Sequence, residues 1–159
     1  MPDMDRKATL KAELVAVLRR ELTAAENAHK ATLAGVTHEE AKPENDKDTR
    51  ALEQSYLARG QAQRALELRS ALAEVESMLA TRPRPSAVLG SLVVVLEREH
   101  ETTYWIAPHG GGAELEAGAV HVVTPKSPLG RALVGKASGD EVEVTIAGKA
   151  RMLEVLRVD

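Results

Sequence analysis

The sequence predicts an α+β chain. An N-terminal antiparallel coiled-coil hairpin over residues 1–80 is followed by a small, mostly antiparallel β domain with one short helix over residues 87–159. Three observations carry this. Two long runs place apolar residues at heptad spacing. TRPRPS, Thr81 to Ser86, sets two prolines within three positions, which no helix continues through, and makes a short, stiff linker. Beyond it the periodicity changes to β-branched and alternating runs.

The first helix is expected from about Asp5 to Ala34, with no Pro or Gly to interrupt it. Leu10, Leu14, Val17, Glu21, Ala24, Ala28 and Ala31 follow steps of four and three, and Leu18 and Leu22 widen the stripe. The second helix is expected from about Asp48 to Ala80. Its seam reads Ala51, Gln54, Ala58, Gln61, Ala65, Leu68, Leu72, Val75 and Leu79. Bulky residues come early in the first seam and late in the second, so an antiparallel pairing sets leucine against leucine at the base and alanine against alanine toward the turn. About 30 residues at ~1.5 Å rise make a rod on the order of 45 Å long.

In the second half, Leu92 to Glu97 reads as a buried strand and Thr102 to Ala107 as its hairpin partner. Pro108 to Gly112 reads as a loop and Ala119 to Thr124 as a strand. Ser127 is an N-cap with Pro128 at the first helical position, opening a short helix that closes at Gly135. Asp140 to Ile146 and Lys149 to Val158 complete about five strands.

Composition removes several function classes. A net charge of −3 argues against a general nucleic-acid binder, which shows a basic excess. The absence of cysteine removes disulfides, thiolate catalysis and zinc-thiolate sites, and fits a cytoplasmic location. MPDMDRKATL lacks the apolar core of a signal peptide, and no run approaches the ~18 apolar residues of a membrane span. His109 to Gly112, HGGG, has no GxSxG elbow to accompany it, so a loop is expected rather than an oxyanion hole. The histidines have no metal-ligand spacing.

The chemistry is expected in the turn of the hairpin, about residues 36–48. THEEAKPENDKD, Thr37 to Asp48, holds Glu39, Glu40, Glu44, Asp46 and Asp48, with Pro43 in the middle. Like charges crowded in a turn repel, so local stability does not call for them; a solvated polar turn or a cation partner accounts for them. Two or three converging carboxylates hold a hard cation such as Mg²⁺ weakly. Placed beside a second metal ion, they complete a two-metal phosphoryl-transfer site.

SPLGRALVGKASGDEVEV, Ser127 to Val144, resembles the signature of the C-terminal domain of bacterial Gre-type transcript cleavage factors. PEN, Pro43 to Asn45, resembles that family's Glu-Asn tip. The resemblance implies an FKBP-like topology for the C-terminal domain, which docks on RNA polymerase. The hairpin then reaches through the secondary channel, and its tip carboxylates share a Mg²⁺ with the polymerase active site, whose own centre cleaves backtracked RNA. The protein is thus expected to be no enzyme itself. It is expected to be a monomer, to have no cofactor of its own, to bind no membrane, and to meet nucleic acid only through the polymerase. Glu44 matches the family's tip glutamate. The tip aspartate position falls on Ala41, and Glu40 aligns with it if Pro43 is an insertion; Glu39 is the reserve. Ser127, Pro128, Arg131 and Gly135 are the expected docking residues. The alternative is a Gre-like regulator that occupies the channel without stimulating cleavage. An FKBP-type prolyl isomerase is disfavoured, because Tyr104 and Trp105, adjacent on a strand, face opposite sides.

Overall fold

The computed structural model describes the backbone of residues 2–40 and 47–159, and the side chains of 3–35 and 49–159. Helix α1 spans Pro2–Glu40 and helix α2 spans Lys47–Ser77. The strands follow: β1 (Leu92–Glu97), β2 (His100–Ile106), β3 (Glu114–Leu115), β4 (Val120–Val123), β5 (Glu141–Ile146) and β6 (Lys149–Val158). Helix α3, Pro128–Leu133, lies between β4 and β5. Tertiary contacts divide the chain into two units: Met1–Val17 with Ala73–Asp159, and Leu18–Leu72.

In the first unit the six strands form one sheet in the order β3-β4-β2-β1-β6-β5. Every neighbouring pair is antiparallel except β2 and β4, which run parallel. The β1–β2 hairpin forms as expected, with Leu92 opposite Trp105. The two-residue β3 was not expected. It pairs Glu114 with His121, and a strand that short carries no periodicity to read.

β1 is apolar on both faces because both faces are covered. Val93 and Val95 join Tyr104, Ile106, Val123, Val142, Val144, Leu153 and Val155 on one face, closed by Leu129 and Leu133 of α3. Trp105 points the other way, toward the ends of the helices. It borders a cavity of about 200 Å³ with Lys7, Lys11, Met78 and Gly90. Its Nε1 donates to Gly90 O at 3.3 Å, and Leu10, Leu14 and Val75 are fully buried. Tyr104 and Trp105 do face opposite sides.

α2 ends at Ser77, short of the expected Ala80, and Leu79 is 85% exposed rather than part of the seam. The last turn of α2 has no basic residue. α1 supplies the cations instead. Lys11 Nζ donates to Met78 O at 2.8 Å, and Lys7 Nζ donates to Thr81 O at 3.0 Å. Both satisfy carbonyls at and just beyond a helix C-terminus, where positive charge is favourable. Lys7 is buried, and burial lowers its pKa against the opposing pull of Asp159 and Asp3.

Replacing Trp105 with alanine is expected to cost ~3–5 kcal/mol of stability. The large buried side chain and its bond to Gly90 O are lost together. Chemical unfolding followed by far-ultraviolet circular dichroism reads this, since the variant has no tryptophan to fluoresce. An unchanged midpoint would show that the sheet face does not need this cover.

In the second unit the α2 seam follows the expected Ala51, Gln54, Ala58, Gln61, Ala65 and Leu68. The α1 seam differs by one residue from expectation. The inward positions are Leu18, Leu22, Ala25, His29 and Thr32, whereas Glu21, Ala24, Ala28 and Ala31 are exposed. The step from Leu14 to Leu18 keeps two leucines inside and leaves the Glu21 carboxylate in water, where its solvation costs nothing. Arg69 donates to Glu26 at 2.7 Å, and Arg64 lies 3.8 Å from Glu21, so exposed ion pairs join the two helices.

Candidate docking surface and acidic segment

α3 is built by local chemistry. Ser127 has extended backbone, and its Oγ accepts from Gly130 N at 3.0 Å. The same hydroxyl donates to Thr124 O at 2.8 Å, which fixes the strand-to-helix corner. Pro128 occupies the start of the helix. Leu129 and Leu133 enter the core. Gly130 presses against the preceding corner: a Cβ there would sit 1.7 Å from Thr124 O. After the helix, Gly135 takes φ +83°, the left-handed region that glycine adopts freely. Gly135 N then donates to Ala87 O at 2.7 Å, tying the helix end to the segment just after the linker.

Of the four expected docking residues, Ser127 and Gly135 therefore shape the backbone. Pro128 lines the surface, and Arg131 is exposed on α3, as is Val134 three residues on. Beside Ser127 and Pro128 runs an open apolar groove of about 760 Å³, whose walls include Tyr104, His121, Val123 and Ile146. The Tyr104 and His121 rings stand 6.0 Å apart at 46°. Sequence reasoning passed over Tyr104, His121 and Ile146 as surface formers. Only the parallel register of β2 and β4, which sets Tyr104 opposite His121, brings the first two together.

Near the groove, Arg151 forms a bidentate pair with Glu97, with Nε donating at 2.9 Å. The guanidinium bonds hold the Glu97 carboxyl below its ordinary pKa, and Glu97 raises that of Arg151. A second bidentate pair joins Arg6 to Glu116 through two bonds of 2.8 Å, and Arg6 lowers the Glu116 pKa. Glu13 Oε2 accepts from Glu116 N at 2.9 Å. Glu116 and Ala117 both have positive φ, so this turn is strained and these contacts from α1 hold it.

HGGG is a packing loop, as expected. Gly110 has φ +84°, and a Cβ there would meet Leu14 Cδ1 at 2.5 Å. His109 Nε2 lies 2.9 Å from Glu74 Oε2, within ion-pair reach but not aligned as a hydrogen bond.

Glu39 and Glu40 belong to the end of α1, but their side chains, and Glu44 altogether, lie outside the described residues. Among the described residues no group of three His, Asp or Glu side chains is placed to hold a metal ion. No helix among them is long and apolar enough to cross a membrane.

Residues 83–159 match the family model described as transcription elongation factor, GreA/GreB, C-term. Transcription elongation factor GreA of Cereibacter sphaeroides is 38% identical over 97 residues, covering 60% of this chain and 62% of that protein. The protein of the same name from Paracoccus denitrificans is 34% identical over 97 residues, covering 60% of each. The chain thus spans about three fifths of the length of these curated relatives. A crystal structure of the GreA factor homolog 1 protein of Thermus thermophilus aligns over 91% of this chain and 94% of that one, at 15% identity and a TM-score of 0.39. The matched region holds α3, its capped corner and the strands on either side, the segment in which the sequence signature lies. Residues 83–159 are thus similar to the C-terminal domain of the GreA/GreB family, and the curated relatives named above are Gre-type elongation factors.

Proposed function

We propose that this protein binds bacterial RNA polymerase in the cytoplasm and modulates elongation. Residues 87–159 anchor it, and residues 1–80 form the inserting hairpin. The match of residues 83–159 to the C-terminal domain of a transcription elongation factor carries the reading. An exposed Arg131 on a helix of fixed geometry supports docking there, because a guanidinium engages a partner carboxylate bidentately. The acidic segment Thr37 to Asp48 enters the secondary channel. There Glu40 and Glu44 help hold a Mg²⁺ shared with the polymerase, and the polymerase centre performs the hydrolysis. The protein acts as a monomer, is not itself the enzyme, and meets nucleic acid only within that complex.

A second reading has a specific residue behind it. Ala41 stands where the resemblance places the tip aspartate, which favours a channel-occupying regulator that stimulates no cleavage. Incubation with a stalled, backtracked elongation complex separates the two. Short 3′ RNA fragments support cleavage; competition for polymerase without fragments supports the regulator. Arg131→Glu in the full-length protein should weaken that competition about tenfold, the equivalent of one lost charge-assisted bond of ~1.4 kcal/mol. Equal competition by the variant places the anchor elsewhere. The full chain is the right reagent, because a fragment beginning at residue 87 lacks the helix ends that lie against the Trp105 face.

A further inference from the structure

The Leu18–Leu72 unit has a seam unlike the one at the helix ends. Its buried apolar residues are Leu18, Ala58, Ala65, Leu68 and Ala71, three of them alanines. Between them the inward positions carry His29, Gln54 and Gln61. His29 Nδ1, Gln54 Oε1 and Gln61 Oε1 are buried without a hydrogen-bond partner, three of the four such side-chain atoms among the described residues. A groove of about 420 Å³ opens beside His29 and Ala65, bordered by Glu26 and Arg69, so packing does not close the seam there. The exposed ion pairs that join the helices add little, because water and salt screen them.

Small side chains contribute little burial, and unpaired buried polar atoms lose their water without compensation. Both effects favour the opened pair, in which water satisfies all three atoms. The Met1–Val17 and Ala73–Asp159 unit has the opposite character, with Leu10, Leu14 and Val75 fully buried beside a six-stranded sheet. We propose that the Leu18–Leu72 helical pair is a separate opening unit, built to part along its polar seam while the other unit stays folded. Its opening exposes His29, Gln54 and Gln61 to solvent or to the polar groups of a partner. Local opening of this kind is a graded property of native proteins and is read amide by amide.

Native-state hydrogen exchange with mass spectrometry on the full chain tests this without any partner. Peptides from 18–35 and 49–72 should exchange at least tenfold faster than those from 7–14, 92–106 and 141–158. The double variant His29→Leu with Gln61→Leu should slow exchange in 18–35 and 49–72 at least tenfold and leave the sheet peptides unchanged. Gln61→Leu alone should shift it in the same direction by less, which guards against misassembly of the double variant. Equal protection along the whole of α1, or no slowing in the apolar variants, would overturn the proposal. Since no polymerase is used, this outcome is independent of whether the proposed function holds.

Discussion

Replacing Gly130 with alanine should dislodge α3 and lower the melting temperature by roughly 6–12 °C. The added methyl would lie 1.7 Å from Thr124 O, and the obstacle is backbone rather than a side chain able to swing away. Thr124 O is itself held by the Ser127 hydroxyl, so the corner cannot retreat without breaking the helix cap. Overpacking costs ~1–3 kcal/mol and more where the site cannot relax. An expected loss of about 3 kcal/mol corresponds to that shift for a chain of this size. Leu129 and Leu133 would be pulled from the core with the helix, so the proposed docking should fall too. Arg131→Ala is the control on the same helix: an exposed substitution should stay within ~0.5 kcal/mol. A Gly130→Ala protein that melts with wild type would mean that the corner is far more pliable than its hydrogen bonds indicate.

Replacing Glu44 with alanine should reduce stimulated RNA cleavage by about 100-fold or more, and leave polymerase binding unchanged. The expectation rests on the proposed shared Mg²⁺. A carboxylate that helps hold a catalytic metal supports several kcal/mol of transition-state charge stabilisation, and each ~1.4 kcal/mol is tenfold in rate. The anchor is assigned to a different part of the chain, so affinity has no reason to change. Fragment release from a backtracked complex at saturating protein gives the rate, and competition gives the affinity. Raised Mg²⁺ should restore part of the loss, because a weakened metal site is filled by mass action. Glu40→Ala should reproduce the effect if Pro43 is an insertion; if Glu39→Ala does so instead, the second ligand is the reserve. A Glu44→Ala protein that cleaves as fast as wild type would remove the metal-ligand role.

Much of this fold is legible in the sequence. Heptad runs marked both helices, two prolines marked the break after them, and Ser127-Pro128 marked the start of α3. These are local signals: a helix period, a ring without an N–H, a hydroxyl at a cap. The α2 seam was readable for the same reason, since Ala58, Ala65 and Leu68 face no competing stripe. The α1 seam was not, because Val17 and Leu18 begin two apolar lines one residue apart. Choosing between them takes the partner helix, which admits Leu22 and excludes Glu21.

What only the tertiary structure decided is non-local. The parallel pairing of β2 with β4 sets Tyr104 opposite His121 across a gap of 16 residues in sequence, and no repeat announces it. Lys7 and Lys11 read as ordinary surface lysines until the end of α2 is brought to them. Gly130 reads as a poor helix former until the Thr124 carbonyl is seen against it. Sequence by itself determined which segments become the long helices, α3 and the longer strands, though not β3 or the end of α2, because hydrogen bonding and side-chain period act over a few residues. Which side chains meet was left to the assembled fold, since pairing between distant segments depends on a register that local chemistry does not encode.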